Sequence, residues 1–292
     1  MEDNISFSII IPLYNKENSI ADTINSVLIQ NYKNFELIIV DDGSTDYSTD
    51  VVRKFVDKRI KLYQKENRGV SVARNYGASK ALYDWLIFLD GDDKLQPGTL
   101  IEFLRLIKKY PKDELFVLKH TSSDDKLYGE LLGKKECIFE SPFKAVWYKR
   151  FNPHPGNYVC KASLFTKVNG FDEHLSYYED WEFCMRLMLM RRVIFSPFIS
   201  LIYMTENNEA RTKIHDINKT MCFYVENWNL ENFWLKNILF QRICQDIKIR
   251  KKCNDLEGAS ILLSICQRKF GNWYKYLNVL CKIRQKFLKY GI

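Results

Sequence analysis

The first 136 of the 292 residues contain no cysteine, and the eight that follow never stand at CxxC spacing or beside a histidine at zinc-finger spacing. A disulfide framework is thereby excluded for the N-terminal half, and the spacing argues against a structural zinc site. The cysteines read as buried, reduced thiols of a cytoplasmic protein. No apolar run approaches the roughly 18 residues that a bilayer span needs; the densest stretch covers only residues 82–89. The acidic start, Met1-Glu2-Asp3-Asn4, lacks the basic region of a secretory leader. Internal repeats and low-complexity tracts are absent, and no acidic residue follows Glu257.

What is there is an ordinary globular composition, 46% hydrophobic and 27% charged, which excludes a disordered or fibrous chain. The charge is unevenly placed. Residues 1–218 hold 30 Lys and Arg against 31 Asp and Glu, whereas residues 219–292 hold 14 against 5. The positive excess belongs to the C-terminal segment, where aromatic and basic residues interleave through residues 234–252 and 273–289. An amphipathic, cationic helix lying on anionic lipid is the functional reading of that segment. A solvated helical face over an apolar stripe, or a dimer contact, is the plainer one. No nucleic-acid-binding module is recognisable, so nucleic acid is not expected as a partner.

The first hundred residues alternate between apolar runs and amphipathic spacing. Residues 7–11, 35–40, 60–63 and 85–89 read as strands, the first two as near-continuous apolar runs suited to burial on both faces. Between them lie helices carrying Ile20, Ile24, Val27 and Leu28, then Val51, Val52, Phe55 and Val56, then residues 69–82. Asn18 or Ser19 is the expected cap of the first helix, Ser44 or Asp46 of the second. This is an α/β pattern with a mostly parallel sheet and right-handed crossovers. Ligands of such sheets sit beyond the carboxyl ends of the strands. Those ends carry Pro12-Leu13-Tyr14-Asn15, Asp41-Asp42-Gly43 and Asp90-Gly91-Asp92-Asp93. Further on, a helix at 97–110, strands at 115–118 and 136–139, a loop at 151–157, helices at 161–168 and 178–190 and extended chain at 193–204 are expected.

Three carboxylates within Asp90–Asp93 repel one another unless a cation lies between them, and hard divalent cations take one or two carboxylates plus phosphate oxygens. If the segment is extended, Asp90 and Asp92 converge and Asp93 diverges. A solvated acidic turn is the alternative. Asp42 at a strand end can accept from a nucleobase N–H, and Tyr14 offers a ring for stacking, although helix capping and packing explain the same residues. A dinucleotide-dependent oxidoreductase is disfavoured, because the first strand is followed by Pro12-Leu13-Tyr14-Asn15 and not by GxGxxG.

Five ordered motifs carry a resemblance. They are the run from Ser8 to Lys16, the run from Phe35 to Asp46, Asn67-Arg68-Gly69-Val70-Ser71-Val72-Ala73-Arg74-Asn75-Tyr76-Gly77, Phe88-Leu89-Asp90-Gly91-Asp92-Asp93, and the pair Val168-Asn169-Gly170-Phe171-Asp172-Glu173 and Glu179-Asp180-Trp181-Glu182-Phe183. Over about residues 5–205 the chain resembles the family 2 glycosyltransferases of the GT-A fold. The resemblance implies a GT-A domain at 1–217, with a nucleotide-sugar half at 1–110 and an acceptor half at 111–217; composition and charge set apart a helical, basic extension at 218–292. It implies that Pro12 and Tyr14 border the base, that Asp42 reads it, and that Arg74 lies near the diphosphate. Asp90 and Asp92 would form a DxD motif holding Mn²⁺ or Mg²⁺, with Asp92 the direct ligand. Asp180 would be the general base and Glu179 would hold the acceptor. The expected reaction is inverting transfer from a nucleotide-sugar, a UDP-sugar first, to a glycan or lipid-linked saccharide in surface-polysaccharide synthesis, at the cytoplasmic face of a membrane. An inactive nucleotide-sugar binding module is the alternative. Trp181 suits a sugar platform or the core. His154 and His215 are weaker candidates, for the acceptor and for a third metal ligand or mobile lid, and His120 and His174 have no assigned role.

Overall fold

A computed structural model describes residues 5–122, 135–149, 151–203 and 215–272. Most of the polar stretch at 121–130, the Arg211-Thr212-Lys213 segment and the aromatic-basic tract at 273–289 lie outside the described residues. Strands β1 (Phe7–Leu13), β2 (Phe35–Asp41), β3 (Ile60–Gln64) and β4 (Trp85–Phe88) form a parallel block in the order β3-β2-β1-β4. Helices α1 (Ile20–Leu28), α2 (Ser48–Arg53) and α3 (Val70–Ser79) make the crossovers. Every residue of β1 and β2 is buried, as the continuous apolar runs require of strands covered on both faces. α2 ends earlier than the apolar spacing predicts and leaves Val56 exposed. Asp46 accepts from Ser48 N at 2.9 Å, while Ser44 Oγ accepts instead from Asn15 N at 3.0 Å.

Beyond β4 the chain forms β5 (Lys94–Leu95), α4 (Thr99–Lys109), β6 (Leu115–Ser122), β7 (Cys137–Phe139), α5 (Pro142–Trp147), β8 (Tyr158–Lys161), α6 (Ala162–Lys167), α7 (Glu179–Met190) and β9 (Val193–Tyr203). The sheet continues as β4-β8-β6-β9-β5, with β7 also on β9. Here β6 and β9 alone pair in parallel; the contacts of β8, β5 and β7 are antiparallel. The mostly parallel expectation therefore describes the first half and not the second. Antiparallel partners need no helical crossover, so very short strands suffice. Strands as short as β5 and β8, and a single-turn helix such as α5, have too few residues to show a period in sequence.

Two 3-10 turns, at Ile217–Lys219 and Phe223–Asn227, lead into α8 (Phe233–Lys252) and α9 (Leu256–Phe270). Asn232 caps α8, its Oδ1 accepting from Trp234 N and Leu235 N at 3.0 Å. One face of the sheet packs Ile9, Ile11, Leu37 and Ile39 against α1 and α4. The other packs Ile10, Ile38, Phe88 and Phe195 against α3, α7 and the α8–α9 pair. Two aromatics of α8 are engaged within the protein: the Trp234 ring lies 5.4 Å from that of Tyr148 and the Phe240 ring 5.2 Å from that of Phe270. Among the described residues no helix is long and apolar enough to cross a membrane.

Candidate active site

The strand order reverses between β1 and β4, and their pairing stops at Ile10 and Phe88. Pro12 and Tyr14 thus stand where the sheet parts, the place where α/β sheets hold ligands. Pro12 is buried opposite Val40, and the Tyr14 ring is 46% exposed at the mouth. Short polar groups tie the loops after β1 and β2 together, with Thr45 N donating to Asn15 Oδ1 at 2.8 Å and Lys16 N to Ser48 Oγ at 2.7 Å. Asp42 is buried, and its carboxylate accepts from Arg68 N at 3.0 Å, from Gly69 N at 2.8 Å and from the Lys65 ammonium. It anchors the loop that starts α3. A cleft of ≈ 600 Å³ lies beside that loop, lined also by Ser176 and Lys219.

Arg74 on α3 is the pivot. It is 2% exposed, and it bridges Asp90 Oδ1 at 2.7 Å and Glu179 Oε1 at 3.0 Å, with the Phe171 ring centroid 5.0 Å from its guanidinium carbon. A buried guanidinium is tolerable only with such partners, so the end of β4 and the start of α7 are held together by one cation. The environment splits the two carboxyls. Burial is the strongest single influence on Asp90 and works against its ionisation, but Arg74, His154 and Lys16 together hold the carboxyl below its ordinary value. Burial and the adjacent Asp180 push Glu179 up. Asp180 is half-buried in the first turn of α7, its Oδ1 accepting from Trp181 N at 2.7 Å. Tyr178, just before the helix, has φ +63°, a left-handed conformation rare for an aromatic residue. Trp181 carries the Arg242 guanidinium of α8 4.2 Å from its ring centroid, so that ring is shared with the C-terminal helices.

The acidic segment departs from the extended geometry expected of it. Asp93 N donates to Asp90 O at 3.1 Å, closing a turn. A turn brings residues i and i+3 together, and Asp90, Asp93 and His154 offer ligand atoms within 4.8 Å of one another. Asp92 instead places Oδ2 2.5 Å from Lys16 Nζ. His154 is held by its loop: its N–H donates to Asn157 Oδ1 at 2.7 Å, and Asn157 Nδ2 donates to Leu118 O at 3.0 Å and Asn152 O at 2.8 Å. Gly156 has φ +93°, and a Cβ there would lie 2.5 Å from Leu201 Cδ1. His120 lies behind, 5.4 Å from His154 between ring centroids, kept neutral by burial and by His154, which bring its pKa to about 3. His215 stacks on Tyr177 at 3.9 Å, away from these groups, and His174 is an exposed partner of Asp172.

The sequence profile described as "Glycosyl transferase family 2" matches residues 8–171, more than half of the chain. This chain belongs to that family. The family 2 chain is 28% identical over 234 residues to the uncharacterized glycosyltransferase RT0329 of Rickettsia typhi, covering 78% of itself and 70% of that protein. To the uncharacterized glycosyltransferase RC0461 of Rickettsia conorii it is 40% identical over 123 residues, which is 41% of this chain and 19% of the relative. It thus spans about a fifth of the length of some curated relatives it matches. Its fold is similar to that of S. aureus TarS 1–349, solved in complex with UDP-GlcNAc, at TM-score 0.67 and 20% identity over 84% of this chain and 70% of that one. That likeness establishes a GT-A fold for the family 2 chain.

Of the residues the sequence singled out, the structure gathers Asp90, Arg74 and Glu179 in direct contact, with Asp180 beside Glu179 on α7. Asp42 engages the α3 loop and Asp92 engages Lys16. The sequence reading turned Asp93 away from Asp90 and Asp92, gave His120 no role, and gave Lys16 none beyond its place in the first motif. The turn-forming Gly91 was the one available sign that Asp93 could fold back toward Asp90.

Proposed function

We propose that this family 2 chain transfers a sugar from a nucleotide-sugar to a saccharide hydroxyl with inversion at the anomeric carbon. The Arg74 bridge carries the reading. It joins the acidic turn at the end of β4 to Glu179, next to Asp180 in sequence, and so supports a donor side and an acceptor side that meet there. A uridine diphosphate donor is favoured by the TarS fold, which was solved with UDP-GlcNAc and with UDP.

Asp180 accepts the proton of the acceptor hydroxyl as the new C–O bond forms, on the face opposite the departing diphosphate. Glu179, anchored on Arg74, orients the acceptor. Tyr14 and Pro12 border the base, and Asp42, by fixing residues 68 and 69, shapes the wall beside it. The acidic turn fits a divalent cation, because two carboxylates and an imidazole nitrogen face one another there. When bound, that ion neutralises the leaving diphosphate. Asp90 is the anchoring carboxylate, and Arg74 keeps it ionised. Asp92 and Lys16 stand on the rim of the same turn.

The test is thermal stability against UDP-, GDP-, ADP- and CMP-sugars, each with and without Mn²⁺. A ligand at 100 times its dissociation constant adds about 2.7 kcal/mol, and the expected result is a shift with a UDP-sugar that needs the cation. Asp180→Asn is expected to keep that shift and to lose roughly 10²- to 10⁴-fold in sugar transfer. Undiminished transfer by that variant moves the base elsewhere. A wild-type shift without any transfer or donor turnover supports an inactive binding module, and no shift with any donor overturns the reading.

A further inference from the structure

Resting on the transferase reading, we propose that Arg242 of α8 is a positioning residue for Asp180, acting through Trp181 and Tyr178, so that the C-terminal helices set the geometry of the acceptor side. The Arg242 guanidinium carbon lies 4.2 Å from the Trp181 ring centroid and 5.4 Å from that of Tyr178. These two rings bracket Glu179 and Asp180 in sequence. Among the described residues no carboxylate pairs with Arg242, so the aromatic faces are what hold it. A half-buried guanidinium is attracted to such faces most strongly where water is excluded.

Tyr178 is where the chain needs holding. With φ +63° and ψ +21° it is left-handed, and a strained residue of this kind persists only where its surroundings enforce it. Its carbonyl accepts from Glu182 N at 2.9 Å, the bond that opens α7. The turn at Tyr178 therefore sets the direction in which the helix starts. Successive helical residues are about 100° apart, so the same turn fixes which way Asp180 points.

A second arginine of α8 steadies the residue before it. Arg250 is buried between Asp246 at 3.2 Å and Asp255 at 2.6 Å, and its Nη2 donates to His215 O at 2.9 Å. The His215 ring stacks on Tyr177 at 3.9 Å, and the Tyr177 ring lies 4.1 Å from that of Tyr178. Tyr177 also pairs with Thr220, and Met221 N donates to its carbonyl at 3.4 Å. Two arginines of one helix thus converge on the few residues that launch α7. Core packing does not require this, because Leu235, Leu239 and Ile243 already bury α8. A misplacement of about 1 Å can cost about 10²-fold in rate, so a hold of this kind bears on turnover and not on donor affinity.

The test is nucleotide release by the full chain, with water as acceptor and Mn²⁺ present, from whichever of the UDP-, GDP-, ADP- and CMP-sugars stabilises it most. Amide hydrogen exchange of residues 177–184, without any ligand, is followed alongside. Arg242→Met removes the cation and keeps the length. It is expected to lower kcat at least about tenfold, to leave KM for the donor within about threefold, and to speed exchange across residues 179–184. Arg242→Lys keeps a cation over the rings and is expected to recover most of the lost rate. Trp181→Leu is expected to cost as much as Arg242→Met, and the double variant no more than either, because the two act as one unit. Arg268→Met, an equal loss of charge at an exposed pair with Glu226, is expected to match wild type. Melting temperatures identify any variant that has lost its fold, and Arg242→Gln takes the place of Arg242→Met if that one has done so. Wild-type kcat in the folded variant, a loss confined to KM, additive losses in the double variant, or no recovery by Arg242→Lys overturns the inference and leaves the transferase standing. No release by wild type from any donor overturns both.

Discussion

The two faces of the sheet are closed by different stretches of chain. The face covered by α1 and α4 packs Ile9, Ile11, Leu37, Ile39 and Ile87 against Ile20, Ile24, Leu100 and Phe103, and nearly all of it comes from the first 118 residues. The face covered by α3 and α7 packs Ile10, Ile38, Phe88 and Val117 against Phe171 and Phe183, and is completed by Leu235, Leu239, Leu262 and Ile265 from α8 and α9. The first face is assembled by short crossovers between neighbours in sequence. The second waits for residues up to Phe270. The Arg74 bridge belongs to the second: Arg74 rests on Phe171, which stacks on Phe183 at 4.1 Å between ring centroids. The site is therefore built on the face that depends on distant chain.

The sharpest way to break this comparison is to cut the chain after residue 217, the boundary read from composition. The nine large apolar side chains that α8 and α9 bury, at roughly 1.5–3 kcal/mol each, match or exceed the whole stability of an ordinary domain of about 5–15 kcal/mol. The shortened chain is expected to lose cooperative unfolding in urea. A cooperative transition close to that of the full chain would show the helices to be an independent appendage.

A matched pair of substitutions sharpens the contrast. Phe103 and Phe183 are both fully buried, one on each face. Phe103→Ala and Phe183→Ala are each expected to cost about 3–5 kcal/mol in urea unfolding. Only Phe183→Ala is expected also to lower sugar transfer at temperatures where both variants remain folded, because it loosens the ring behind Arg74. Equal transfer by the two would separate the site from its packing.

The smallest effect lies at the edge of the first face. Glu136 accepts from Arg105 at 2.6 Å, Lys109 at 2.7 Å and Tyr110 at 2.7 Å, linking the chain before β7 to α4. Burial opposes its ionisation, but these three partners bring its pKa to about 2 from the ordinary 4.5. A carboxyl depressed in the folded state stabilises fully above pH 4.5, and that contribution is lost as pH falls from 4.5 toward 2. Because Arg105 and Lys109 are exposed, the effect is expected to be about 1 kcal/mol. Glu136→Gln is expected to flatten that part of the stability–pH profile, and an unchanged slope would place the proton uptake on another carboxyl.

How far the sequence could be read follows from the range of the forces involved. Strands β1 and β2, helices α1 and α4, and the acidic strand ends were legible, because apolar periodicity and turn chemistry act between residues a few positions apart. Arg74, Glu179 and Asp90 were legible as members of motifs, yet no spacing rule says that one guanidinium joins residues 105 and 16 positions away. The acidic turn was misread in detail: alternation holds for an extended segment, and a single backbone hydrogen bond turned Asp93 toward Asp90 and left Asp92 to Lys16. β8 has four residues and no period, but it is the strand through which β4 meets β6. By itself, the order of side chains determined which local elements form and which chemical groups stand at their ends. The tertiary structure decided which of those groups meet, because burying the second face of the sheet against α7, α8 and α9 is what draws Glu179 onto Arg74. In the same way, the loop packed under Leu201 is what sets His154 beside Asp93.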